Sequence, residues 1–139
     1  HTVLAGVCFA TGLWMIPVLI TFAPFYGGLV QFLCNSTQHI GLKDNTRDFR
    51  ICCRTFELGP FLRFLYWQMN YHTEHHMYAA VPFYNLRKLH ELIEYDIPPT
   101  HKGLIRTWIE IYAILQKQKQ DPEYQYEAPL PPTANPKVA

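Results

Sequence analysis

Charge is missing from the first third of this chain. No Asp, Glu, Lys or Arg precedes Lys43, and the run from Val3 to Leu33 holds 31 residues without one. About 20 such residues span a hydrocarbon core as a helix, so the run predicts membrane insertion. A basic residue ahead of the run is also missing, as is an initiator Met. Both absences, and a length about twice that of a signal-peptide core, count against a secretory signal. Starting on His1, the chain reads as a piece of something longer.

Excess charge of either sign is lacking too. Twelve basic against eleven acidic residues leave a net +1, which excludes an electrostatic footprint for nucleic acid. Cysteine is sparse and unpatterned. Cys8 and Cys34 lie in or beside the apolar run and Cys52 and Cys53 are adjacent, so neither a spaced zinc pattern nor a secreted disulfide framework results.

What is there divides into four stretches. The apolar run predicts a membrane helix over about residues 2 to 22, a break near Pro24 and a second helix from about Phe25, with a single kinked helix as the alternative. Lys43, Arg47, Arg50 and Arg54 follow closely, which places that side in the cytosol by the positive-inside rule. Residues 43 to 57 read as a loop with a short helical turn. From Phe61 to Met77 the pattern is helix-like without a breaker, and a further helix follows Pro82. A last amphipathic helix over about 103 to 119 sets Ile105, Trp108, Ile109 and Tyr112 in one apolar stripe. From Asp121 onward five prolines and few core residues predict a disordered or extended tail.

The chemistry concentrates in "NYHTEHHMYAAVP", residues 70 to 82. On a helix His72, His75 and His76 stand at i, i+3 and i+4 and share one face. Several imidazoles on one face can converge on iron, zinc or copper. A coincidental polar surface cluster is the bland alternative. Glu74 sits among these histidines, but the order His72-Thr73-Glu74-His75-His76 matches neither H-E-x-x-H nor H-x-x-E-H, so a zinc-protease site is excluded. Upstream, "NSTQHIGL" puts Asn35 and His39 four residues apart, on one helical face at the end of the apolar run.

The stretch "NYHTEHHMYAAVPFYNL" resembles the third histidine box of the membrane-bound fatty acid desaturase and hydroxylase superfamily, an H-x-x-H-H followed by an apolar stretch and a proline. "NSTQHIGL" resembles the additional ligand region of that family, and the likeness runs from about residue 20 to about residue 95. It implies an all-α fold of integral membrane helices followed by cytosolic helices that carry the ligands. Residues 1–120 would be the C-terminal part of a desaturase-like domain, with membrane helices about 2–33 and a histidine-box region about 34–120, and residues 121–139 a tail.

By that likeness His39, His72, His75 and His76 would ligate iron and Asn35 would face the metal. Glu74, Asn70 and Asn85 would be partners of the ligands, or else ordinary helix-surface and capping residues. The cofactors implied are two non-haem iron ions, with O2 as co-substrate. The partners implied are a lipid acyl substrate, the membrane and a separate electron donor of cytochrome b5 or ferredoxin type, since no such domain follows the box. Localisation would be the endoplasmic reticulum in a eukaryote or the inner membrane in a bacterium. The two other histidine boxes of the family do not occur in the chain, so the implied piece would be inactive alone. A lipid or sterol hydroxylase or ketolase shares the same boxes, and a non-catalytic truncated membrane protein is the remaining reading. His90 and His101 are expected to be a surface or interface residue and a loop residue without a partner.

Overall fold

The computed structural model describes residues 1–137, and its chain divides into two units, His1–Asn35 and Ser36 onward. The first unit holds α1 (Thr2–Ala10), α2 (Met15–Ile20) and most of α3 (Ala23–Ser36). The run is interrupted at Thr21 and Phe22, close to the break expected near Pro24, and also between α1 and α2, where the sequence predicts none. Gly12 adopts φ 77° between α1 and α2, a left-handed turn that glycine enters without a Cβ clash. Pro17 and Pro24, by contrast, sit in the first turns of α2 and α3, where an amide N–H is not needed. Thr21 N and Phe22 N both donate to Pro17 O, carrying the path through a bend instead of a stop. Met15–Ser36 is therefore one 22-residue helical run, long and apolar enough to cross a membrane. Leu19, Ile20, Phe25 and Phe32 remain exposed along it, the surface expected of a helix whose solvent is lipid.

The second unit is mostly helical. It contains α4 (Phe49–Cys52), β1 (Phe56–Glu57), α5 (Pro60–Leu65), α6 (His72–Met77), α7 (Leu86–Ile93), β2 (His101–Lys102) and α8 (Leu104–Gln120). Short 3₁₀ turns, Phe83–Asn85 and Glu94–Asp96, flank α7. Asp48 caps α4 by accepting from Arg50 N at 3.1 Å. The two strands pair in parallel, Phe56 with His101 and Glu57 with Lys102. They bring the chain before the histidines against the start of α8, and His101, read above as unpartnered, meets Glu110 at 3.0 Å.

Two helices differ from the sequence reading. The pattern from Phe61 to Met77 breaks at Trp67 and Gln68, which take φ of 54° and 55°. Left-handed geometry at two consecutive residues reverses the chain and separates α5 from α6. On α8 the buried face is Thr107, Ile111 and Ile114, while Ile105, Ile109 and Tyr112 of the expected stripe are exposed. The core these residues join is centred on Phe56, Leu86 and Ile111, each fully buried. At about 1.5 to 3 kcal/mol for each large side chain removed from water, such a cluster stabilises the unit far more than its surface ion pairs do.

Among the described residues after Gln120 no further helix forms, in keeping with the proline content, but the segment is fastened down. Tyr126 bridges to Leu42. Buried Arg50, already held by Asp48 and Asp96, donates to the carbonyls of Asn135 and Pro136. Asn135 N in turn donates to Asp96 at 2.7 Å. In the segment expected to be disordered or extended, these contacts form because buried charges on Arg50 and Asp96 gain acceptors and donors from its backbone. The last two positions of the expected tail, 138 and 139, lie outside the described residues.

Candidate metal centre

His39 sits in the turn that follows Ser36, and its neighbours hold that turn in place. Gln38 Nε2 donates to Tyr66 Oη at 2.9 Å and to Met69 O at 3.0 Å. Arg54 grips the same turn from the other side, through its own N–H to Gln38 O and through Nη1 to Thr37 O at 2.6 Å. Gly41, at φ 78°, closes the turn against α8, where an added Cβ would lie 2.6 Å from Ile114 Cγ2.

Helix α6 presents His72 and His76 toward this turn. The Nε2 atoms of His72 and His39 are 2.9 Å apart, and those of His76 and His72 are 3.0 Å apart. Two nitrogens about 2.1 Å from one ion, at ligand angles of 90–110°, lie roughly 3.0–3.4 Å apart. The three imidazoles thus already stand close to the spacing of metal ligands. His39 Nδ1 lies 2.9 Å from Cys52 O, an acceptor that fixes its proton there and leaves the Nε2 lone pair facing the cluster.

Electrostatics work in the same direction. Burial, then the neighbouring His76, His39 and His75, push the His72 imidazole down to about 3. Burial, followed by His39 and His75, also lowers His76. Both rings are therefore neutral at physiological pH, the form that ligates metal. Among the described residues His72 Nδ1 is buried without a hydrogen-bond partner, a cost that a metal at Nε2 would leave in place. The donor set fits a metal ion, and with Cys53 Sγ the four candidate atoms lie within 4.8 Å of one another.

Cys53 is the member of this group that the sequence reading missed. Its thiol is pushed up by burial and then by Cys52, so it enters the cluster as a neutral, weak donor. No spacing rule pairs position 53 with position 39; the Arg54–Gln38 contact does. Conversely His75 is not in the group, its ring lying 5.7 Å from that of His76 and 6.2 Å from that of His72.

The expected supporting residues scatter. Asn35 is exposed in the last turn of α3, in the other unit. Asn70 donates through Nδ2 to Phe56 O at 2.8 Å, serving the strand and not a histidine. Asn85 occupies the N-cap position of α7, without a side-chain capping bond. Glu74 is fully buried on the opposite side of α6, where Thr55 Oγ1 donates to Oε2 at 2.5 Å and His90 Nδ1 meets Oε1. Burial disfavours a charged His90, yet the hydrogen bond to Glu74 and the charges of Glu74, Glu94 and Glu57 together outweigh it and raise the imidazole above its ordinary value.

No curated protein and no solved structure matches the chain. A family model does: the one described as fatty acid desaturase matches residues 1–108, a span that takes in the apolar helices, His39, the whole H-x-x-H-H segment and His90. With that match over well more than half of its length, the chain belongs to the fatty acid desaturase family, membrane-associated oxidoreductases that act on lipids.

Proposed function

We propose that this chain supplies part of the metal centre of an O2-dependent, non-haem di-iron acyl-lipid desaturase. The observation that carries the reading is the convergence of His39, His72 and His76 through Nε2. His75, on the same turn of α6, would serve the second ion after a modest ring rotation. Histidines beyond the 139 residues would complete the shell. Bound iron would supply O2 activation: with O2 as oxidant and two electrons and two protons from outside, an acyl –CH2–CH2– would become –CH=CH– as two waters are released.

The protein's own tasks are more modest and more testable. His39 is oriented by Cys52 O, so one nitrogen is committed to the backbone and the other to the metal. His72 is buried, which keeps water from competing for its Nε2. The apolar helical run Met15–Ser36 would hold the centre at a bilayer, where the substrate's hydrocarbon chain resides. An electron donor of cytochrome b5 or ferredoxin type would be a separate protein, and the histidine side would be cytosolic.

Anaerobic titration of the 139-residue chain in lipid nanodiscs with Co(II) tests the ligand assignment. Visible ligand-field bands should develop, and His76→Ala should weaken binding at least about 100-fold, more than the loss of a residue that only supports a ligand. Undiminished binding by His76→Ala would remove the reading. Desaturation itself is decided by product analysis of the complete enzyme: a hydroxylated product without an alkene would reassign it to the hydroxylases, which share this ligand arrangement.

A further inference from the structure

Helix α6 has six residues, and its N-cap residue Tyr71 makes no side-chain capping bond. So short a helix does not hold its own geometry in water. Its rotational phase nevertheless decides whether His72 and His76 meet His39. At a side-chain radius of about 5–6 Å, a 20° turn about the axis moves an imidazole by about 2 Å. Metal–ligand distances tolerate only about 0.2 Å.

Something outside the helix must fix that phase. Residue 74 is two positions from both His72 and His76, about 200° around the helix from each, so Glu74 points away from the candidate ligands. On that far side it is clamped twice, by Thr55 Oγ1 at Oε2 and by His90 Nδ1 at Oε1. Thr55 Oγ1 also accepts from Thr73 N at 3.1 Å, pinning the first turn of the helix. The His90 ring packs on Tyr71, centroids 5.1 Å apart, directly before His72. Three elements, the segment before β1, α6 and α7, are joined at one fully buried carboxylate.

A carboxylate is a costly choice for that place. Exchanging a buried ion pair for apolar side chains of similar volume is often neutral or stabilising, so a fold in need only of stability has no use for one. What it adds is direction: each oxygen accepts along a defined line, whereas an apolar contact permits rotation. We infer that Glu74 and His90, with Thr55, are positioning residues that set the angular phase of α6 and so the convergence of His72 and His76 on His39. The inference rests on the metal-centre reading above.

The test separates metal binding from folding. The 139-residue chain in nanodiscs is titrated with Co(II) as wild type, Glu74→Gln, His90→Ala, His72→Ala and the double variant Glu74→Met/His90→Leu, with thermal unfolding followed in parallel without metal. Glu74→Gln keeps an acceptor and a reversible amide on the same side chain, and should bind within about threefold of wild type with an unchanged spectrum. The double variant should unfold at or above the wild-type temperature yet bind Co(II) about 10–100-fold more weakly, with altered ligand-field bands. His90→Ala, at a half-buried position, should show the same loss of affinity, and keeps the question open to measurement if the double variant does not fold.

Wild-type affinity and spectrum in both His90→Ala and the double variant would overturn the inference, provided that His72→Ala weakens binding. Should His72→Ala bind as wild type, the metal reading itself fails. A lower unfolding temperature with unchanged Co(II) spectra would assign Glu74 and His90 to the fold alone, and also overturns the positioning role.

Discussion

Nε2 of His72 faces Nε2 of His39 at 2.9 Å, although 33 residues separate them in the chain. Two imidazole nitrogens that close can share at most one proton, and a third, His76 Nε2, stands 3.0 Å from His72 on the same helix. A metal ion would satisfy all three lone pairs at once, as the proposed function requires.

Metal should therefore stabilise the folded chain. At a free concentration one hundred times the dissociation constant the gain is about 2.7 kcal/mol, and a chelator should abolish it. Differential scanning calorimetry with and without Co(II) measures this. His76→Ala should lose the shift, and His101→Ala, whose ring is engaged with Glu110, should keep it.

Cys53→Ala should leave Co(II) affinity within about threefold of wild type. Its Sγ lies 4.0 Å from His39 Nδ1, the nitrogen that faces Cys52 O, and its thiol, pushed up by burial, is a weak donor. The absence of a sulfur-to-cobalt charge-transfer band in the wild type would agree; an intense near-ultraviolet band lost in Cys53→Ala would make the thiol a ligand.

Gly41→Ala should destabilise the second unit by about 1–3 kcal/mol, for two separate reasons: a backbone at φ 78° and a Cβ that would meet Ile114 Cγ2. Adding Ile114→Ala removes only the second. Gly12→Ala has the backbone penalty without the contact and should cost less. Unfolding midpoints in one detergent compare the three.

Acid should loosen the C-terminal segment. Hydrogen bonds from Lys137 and Lys43 bring the Glu127 carboxyl down to about 2, below its ordinary 4.5. A depressed carboxylate contributes stability that is complete above its unfolded value and lost as pH falls through the folded one. Backbone hydrogen exchange near Tyr126 should accordingly rise between about pH 4.5 and 2. Glu127→Gln should flatten that dependence, and because the pair is exposed, salt should blunt it in the wild type.

The sequence made the histidine pair on α6 legible because helical spacing alone aligns positions four apart. The apolar run, the tail's lack of helix and α8 were equally open to periodicity. His39 became a candidate through its spacing from Asn35 and then through family resemblance, while its approach to His72 depends on Gln38 and Arg54, whose long-range bonds leave no local trace. Cys53 entered the cluster by the same route. The face that α8 buries was misread since Thr107 is polar by type and buried by context, hydrogen-bonding back to Gly103 O. The reversal before α6 was hidden by its residue types, as Trp and Gln carry no signal for left-handed geometry.

That reversal at Trp67 and Gln68 also acts as an insulator of register. In an unbroken helix from Phe61 to Met77, one inserted or deleted residue upstream would swing every later side chain by about 100°. With the chain folded back between α5 and α6, a change of length in α5 is absorbed at the turn, and the histidines keep their aim. The apolar segment ahead of the box is thus free to change in length without turning the histidines, as long as Tyr66 and Met69 keep their bonds to Gln38.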